Sequence, residues 1–222
     1  GLLNSDVVNL SQILDTSLEI ELLKRTPSSF LGSCRYKLPH FEETTEPYEK
    51  IFKTLKKLNI EFFFYIGGND SMDTIMKLSD YAKEIGSNIK FMGIPKTIDN
   101  DLMITDHTPG FGSAAKYIGA TMKEIVRDAT VYGTPYVTVV EIMGRNAGWL
   151  TASATLSRAE DCEGIDMICF PEVPFSIENF LRNVEGLQKD KKSIVIAVSE
   201  GVKLSDGRYV CELSDDARFT DA

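Results

Sequence analysis

The chain has 222 residues, 43% hydrophobic and 26% charged, enough apolar material to bury a sizeable core as one large or two modest domains. Its net charge of −9 argues against a general nucleic-acid or membrane-surface role, so anionic ligands must be drawn by local cations. Cys34, Cys162, Cys169 and Cys211 show no paired spacing, which argues against a zinc site, and there is no secretory signal or apolar run long enough to cross a bilayer. A cytoplasmic enzyme with reduced thiols is the expectation.

In chain order, residues 37–46 read as loop, and a helix is expected near 47–58. Strands near 60–66, 89–94, 136–142, 165–170 and 193–198 alternate with helices near 71–85, 111–129, 146–158 and 176–188. This alternation predicts an α/β fold of layered, mostly parallel sheets with flanking helices. No internal repeat, low-complexity tract or long flexible linker interrupts it.

Two strand ends carry chemistry. The apolar run at 60–66 leads into Gly67, Gly68, Asn69, Asp70 and Ser71 before a helical pattern. Two glycines let backbone approach a phosphate, and Ser71 with the first helical N–H groups can donate to it. One unit later, Phe91 to Ile94 is stopped by Pro95, which puts Lys96, Asp99 and Asp101 at the carboxyl edge of the sheet, where α/β proteins bind ligands. Lys96 can meet an anionic group, Asp99 can take a proton from a hydroxyl, and Asp101 can hold Asp99 in place. Asp-Asn-Asp is also a common turn, and loop charges are usually only solvated. His40 and His107 stand alone, with no metal-ligand spacing.

Further motifs follow in order: Leu-Gly-Ser-Cys-Arg at 31–35, Thr-Asp-His-Thr-Pro-Gly-Phe at 105–111, Met-Gly-Arg-Asn-Ala-Gly at 143–148, Phe-Pro-Glu-Val-Pro at 170–174 and Ser-Glu-Gly at 199–201. With 67–71 and 95–101, this series resembles the phosphofructokinase family over nearly the whole chain. The resemblance implies a two-domain fold changing near 110: residues 1–110 form part of a donor-binding domain, and residues 111–222 most of a sugar-phosphate domain. Asp99 would be the base for the 1-hydroxyl of fructose 6-phosphate, assisted by Asp101 and Lys96. Thr97, Met143, Gly144, Arg145 and Glu200 would contact the sugar phosphate. Gly67, Gly68, Asp70, Ser71 and Arg35 would face the donor phosphates, and Mg2+ would be the cofactor.

The resemblance also implies the donor. ATP users in the family typically have glycine where this chain has Asp70 and Lys96. Aspartate at the first position would crowd and repel an α-phosphate, whereas lysine at the second pairs with a terminal phosphate of a smaller donor. Pyrophosphate is therefore the expected donor, in a reversible reaction giving fructose 1,6-bisphosphate. One departure concerns the metal: Asn69 stands where the family usually has an aspartate associated with magnesium-bound phosphate, leaving Asn69 or Asp70 as the candidate contact.

Family members begin with a strand and a glycine-rich donor loop upstream of the motifs seen here, and continue past the last of them. A fragment of a longer, homo-oligomeric glycolytic transferase is expected, poorly active alone. The alternatives are an ATP-dependent 6-phosphofructokinase and a non-catalytic regulatory subunit of the same fold. Intact Lys96, Asp99, Asp101 and Arg145 speak against the latter.

Overall fold

A computed structural model describes residues 1–33, 36–131 and 133–213. Its contacts divide the chain into Gly1–Pro95 and Lys96–Ala222, a boundary earlier than the expected change near 110. Each unit follows from its own pattern.

The first unit opens with helix α1, Ser17–Arg25, for which no element was expected. A capping box starts it: the Glu19 N–H donates to Thr16 Oγ1 at 3.2 Å, and the Thr16 N–H donates to the Glu19 carboxylate at 3.1 Å. Helix α2, Glu46–Lys57, turns Tyr48, Ile51, Phe52 and Leu55 inward at helical spacing. These join Leu38, Leu78, Tyr81 and Ala82 in one core cluster. The buried Tyr48 hydroxyl donates to Pro39 O at 2.7 Å, and burial pushes its phenol up to about 12.

Strands β1, Phe62–Gly67, and β2, Lys90–Pro95, pair in parallel through the crossover helix α3, Asn69–Glu84. Their register sets Phe63 beside Phe91 and Gly67 beside Pro95, so both strands stop together. Phe63 and Phe91 pack on the core, whereas Phe62, Phe64, Ile66, Met92 and Ile94 on the opposite face are exposed.

In the second unit, helix α4, Phe111–Ala129, precedes β3, Tyr136–Ile142. The expected helix at 146–158 is instead a four-residue helix α5, Trp149–Ala152, followed by a 3-10 segment, Ser153–Ser157. Hydroxyls explain the tightening. Ser153 donates to Trp149 O at 3.0 Å, Thr155 to Ala152 O at 2.7 Å and Ser157 to Ala154 O at 2.7 Å, competing with the helical ladder for its acceptors. Strand β4 covers only Met167–Cys169, shorter than expected; α6, Ile177–Leu187, capped by Ser176, leads to β5, Ser193–Ser199.

The sheet is parallel in the order β3-β5-β4. Ile194, Val195, Ile196 and Ala197 of the central strand are fully or nearly fully buried, as a continuous apolar run requires. Asp166 extends the β4–β5 pairing past the strand: its N–H donates to Val195 O, and its Oδ2 accepts the Val195 N–H, both at 2.9 Å. Its Oδ1 receives Lys191 Nζ at 2.7 Å. Asp166→Ala would strand the buried Val195 N–H, while Lys191 keeps Glu163 at 2.6 Å, and should lower unfolding stability by about 1–2 kcal/mol, read from the urea midpoint at pH 7. An unchanged midpoint would mean that water replaces the carboxylate without loss. Among the described residues, no helix is long and apolar enough to cross a membrane.

Candidate functional site

In the second unit, loop 96–110 carries Lys96, Thr97, Asp99 and Asp101. Thr97 Oγ1 accepts the Asp99 N–H at 3.0 Å and sets the local turn. Asp99 is half-buried, and its Oδ1 is buried without a hydrogen-bond partner. Burial raises its pKa most, the negative charges of Asp101 and Glu200 add to the rise, and Lys96 opposes it. Four residues expected from sequence thus share one electrostatic neighbourhood. The outcome is a carboxylate with a free oxygen and heightened affinity for a proton, the properties a general base needs.

A second loop, 143–148, follows β3. Gly144 holds φ 123°, and a Cβ there would fall 2.5 Å from Ala147 O, so only glycine fits. The end of β5 clamps this loop. The Gly144 N–H donates to Glu200 Oε1 at 3.0 Å, and the Ser199 hydroxyl donates to Gly144 O at 2.7 Å. Ser199 Oγ in turn accepts the Gly201 N–H at 3.0 Å. Gly201 lies flat on the backbone of Arg145: an added Cβ would sit 2.5 Å from the Arg145 carbonyl carbon and closer still to its oxygen. At the far end, Glu172 Oε1 accepts the Gly148 N–H at 2.7 Å.

This clamp leaves the Arg145 and Met143 side chains exposed. It also commits Oε1 of Glu200 to the loop. Ile98 and Met143 line the same apolar hollow of about 320 Å³, with Tyr117 and Ile142 among its walls, so the two loops border one surface of this unit.

The sequence reading gave no role to Ser199, Gly201 or Glu172. The signal was present in Ser-Glu-Gly at a strand end, where a small hydroxyl and a glycine suit close backbone approach. His107, by contrast, packs its ring edge-on against Phe111, 5.3 Å between centroids.

The donor candidates Gly67, Gly68, Asp70 and Ser71 lie in the first unit. Helix α3 begins at Asn69, earlier than expected, with Gly68 as its N-cap in extended conformation. The N–H groups of Ser71 and Met72 both donate to Gly68 O, at 3.0 and 3.1 Å. Ser71 Oγ folds back over Gly67, occupying the space a Cβ there would need. Asn69 and Asp70 are exposed on the first turn, where the Asp70 carboxylate complements the positive helix end whether or not a ligand is bound. Arg35 lies outside the described residues.

Among the described residues, no group of three or more His, Cys, Asp or Glu side chains is placed to hold a metal. Asn69 and Asp70 are consecutive on the helix, so their side chains do not face each other; the exposed Asp70 carboxylate is by itself the kind of ligand that Mg2+ takes together with substrate phosphates and water.

A family model described as Phosphofructokinase matches residues 1–220. The chain is 41% identical over 215 residues to a pyrophosphate–fructose 6-phosphate 1-phosphotransferase of Methylococcus capsulatus, covering 96% of this chain and 50% of that protein. It is 38% identical over 221 residues to the protein of the same description from Halomonas elongata, covering 99% of this chain and 52% of that one. The crystal structure of a pyrophosphate-dependent phosphofructokinase from Nitrosospira multiformis superposes with a TM-score of 0.74 at 40% identity, over 87% of this chain and 48% of that one. The chain thus spans about half the length of the curated relatives it matches.

Proposed function

The chain belongs to the phosphofructokinase family, and we propose that the protein carrying it transfers a phosphoryl group from pyrophosphate to the 1-hydroxyl of fructose 6-phosphate. The products are fructose 1,6-bisphosphate and phosphate, and the reaction is reversible because an anhydride is exchanged for an ester without ATP's larger driving force. The relatives named for this activity support the reading. The observation that carries it is Asp99, with an unpartnered buried oxygen and a pKa raised by burial, Asp101 and Glu200.

In this reading the free Oδ1 of Asp99 accepts the proton of the 1-hydroxyl as the oxygen attacks phosphorus. Asp101 keeps Asp99 basic through like charge, and Lys96 offsets negative charge on the moving phosphoryl group. Thr97 both fixes the turn and offers a hydroxyl to the sugar. Arg145, presented by the clamped loop with Met143 and Gly144, binds sugar phosphate, and Glu200 uses its remaining oxygen on sugar hydroxyls. Gly67, Gly68 and Ser71 with the first N–H groups of α3 serve the donor phosphates. Asp70, with Asn69 beside it, would hold Mg2+, which when bound neutralises charge on pyrophosphate. Transfer of this kind rests on positioning and charge neutralisation, and it requires no nucleophilic side chain. The protein acts as an oligomer in the cytoplasm.

Asp70 and Lys96 set the donor. Exchanging both for glycine should lower the kcat/KM for pyrophosphate by at least about tenfold, the loss of roughly one charged contact, and should bring ATP turnover into measurable range. Initial rates with each donor at fixed fructose 6-phosphate check this on the naturally occurring protein. Preference of the unaltered protein for ATP would reject pyrophosphate as donor, and an unchanged preference in the double variant would place donor choice on other residues.

A further inference from the structure

We propose that Asn100 is a positioning residue: its amide ties loop 96–110 to the start of helix α4 and thereby fixes the flanking carboxylates Asp99 and Asp101. This inference rests on Asp99 as the base.

Asn100 has φ 59°, the left-handed region that asparagine tolerates better than most residues, and it is only 6% exposed. Both ends of its side chain are used. Oδ1 accepts the Thr108 N–H at 2.8 Å, and Nδ2 donates to Asp106 O at 3.2 Å. The amide therefore closes the neck of the excursion 101–107.

Thr108 itself is fully buried, and its carbonyl accepts the Phe111 N–H at 3.2 Å in the first turn of α4. That helix contributes Met122, Val126 and Ala129 to the core. A rigid path runs from the core through Thr108 to Asn100, and Asp99 and Asp101 are its neighbours in the chain. Beyond the neck, packing holds little: Met103 is 89% exposed, and Ile104 is wholly exposed with the strained φ of 56°.

The chemistry selects asparagine. Aspartate keeps the acceptor but loses the donor and adds a third carboxylate; glycine keeps the backbone conformation but loses the clasp; glutamine is too long for the same two bonds. Holding a reacting group within a fraction of an ångström matters because small displacements lower the rate far more than they lower affinity.

The test is Asn100→Gly in the naturally occurring protein, with far-UV circular dichroism and melting temperature recorded alongside kinetics. Turnover should fall about 30- to 100-fold, the scale of a displacement near 1 Å, while the KM for fructose 6-phosphate changes less than about threefold. The acid limb of the kcat/KM profile should move to lower pH as water reaches Asp99, whose charged neighbours are Asp101, Glu200 and Lys96. If the glycine variant melts below assay temperature, Asn100→Asp replaces it, with turnover again reduced and the limb moved up by the added charge.

Wild-type turnover and an unmoved limb in the folded variant, or a loss confined to KM, would overturn the positioning role. Asp99→Asn separates this from failure of the underlying reading. If that variant is inactive while Asn100→Gly is normal, the base stands and the clasp falls; if Asp99→Asn is fully active, the base assignment itself is wrong.

Discussion

Asp99→Asn should lower turnover of fructose 6-phosphate by about 10²- to 10⁴-fold, the usual contribution of a general base, while raising the melting temperature of the protein at pH 8. Both effects follow from one arrangement. The carboxylate has a buried oxygen without a partner, and its charge is penalised by desolvation and by Asp101 and Glu200 more than Lys96 relieves it. Its folded pKa lies above the ordinary aspartate value, so its contribution to stability is fully present below that ordinary value and is lost as pH rises through the raised one.

At pH 8 the native protein therefore bears the cost of an ionised Asp99, which a neutral amide of the same shape removes. The melting-temperature gain of Asp99→Asn should shrink as pH falls and vanish below the ordinary aspartate range, where the wild-type group is also neutral. Differential scanning fluorimetry across pH 3–8, with rate measurements at pH 8, reads both. Full activity in the variant would remove Asp99 from the mechanism, and a stability difference independent of pH would mean that its charge is not the cause.

Gly201→Ala should raise the KM for fructose 6-phosphate at least about tenfold, the equivalent of 1.4 kcal/mol. The added Cβ meets the carbonyl group of Arg145, which is backbone and cannot rotate away as a side chain end would. Overpacking of this sort costs about 1–3 kcal/mol, and here relief comes from pushing the Arg145 loop off its seat on Ser199 and Glu200. Gly186→Ala on α6 is the control, because a Cβ there meets nothing within 4 Å and alanine favours the helix by roughly 0.5–1 kcal/mol. A Gly201→Ala variant with unaltered KM would show that the loop has slack and that Arg145 does not depend on this contact.

The strand ends that carry the candidate residues were legible in the sequence for a plain reason. Apolar strands that are buried or half-buried and stopped by Gly67, Pro95 or Ser199 leave their next polar residues at the carboxyl edge, and the α/β pattern says that ligands bind there. The family resemblance supplied residue roles that spacing alone left open. What stayed hidden depends on tertiary geometry. Asn100 read as one member of a polar turn because its partners, Asp106 O and the Thr108 N–H, are backbone groups with no sequence signature.

The partners of Ser199 and Glu172 stayed hidden for the same reason: each holds the backbone of a glycine far away in the chain. The length of the 146–158 helix was misjudged because apolar periodicity counts faces, whereas Ser153, Thr155 and Ser157 act on carbonyls. Helix α1, in contrast, was readable. Thr16 followed three residues later by Glu19 is a capping box, and it was overlooked for lack of a strongly apolar stripe after it.

The strand order β3-β5-β4 has a temporal side. Of the three described strands of this unit, the last to be synthesised is the central one, and the bond between Ser199 and Gly144 joins residues 55 apart in the chain. On the ribosome, β3 and β4 emerge with no strand between them, and the Arg145 loop lacks its clamp until β5 inserts. Long-range parallel pairing of this kind is slow to form. The Arg145 loop is thus fixed only after β5 has emerged and inserted, later than the strand that carries it.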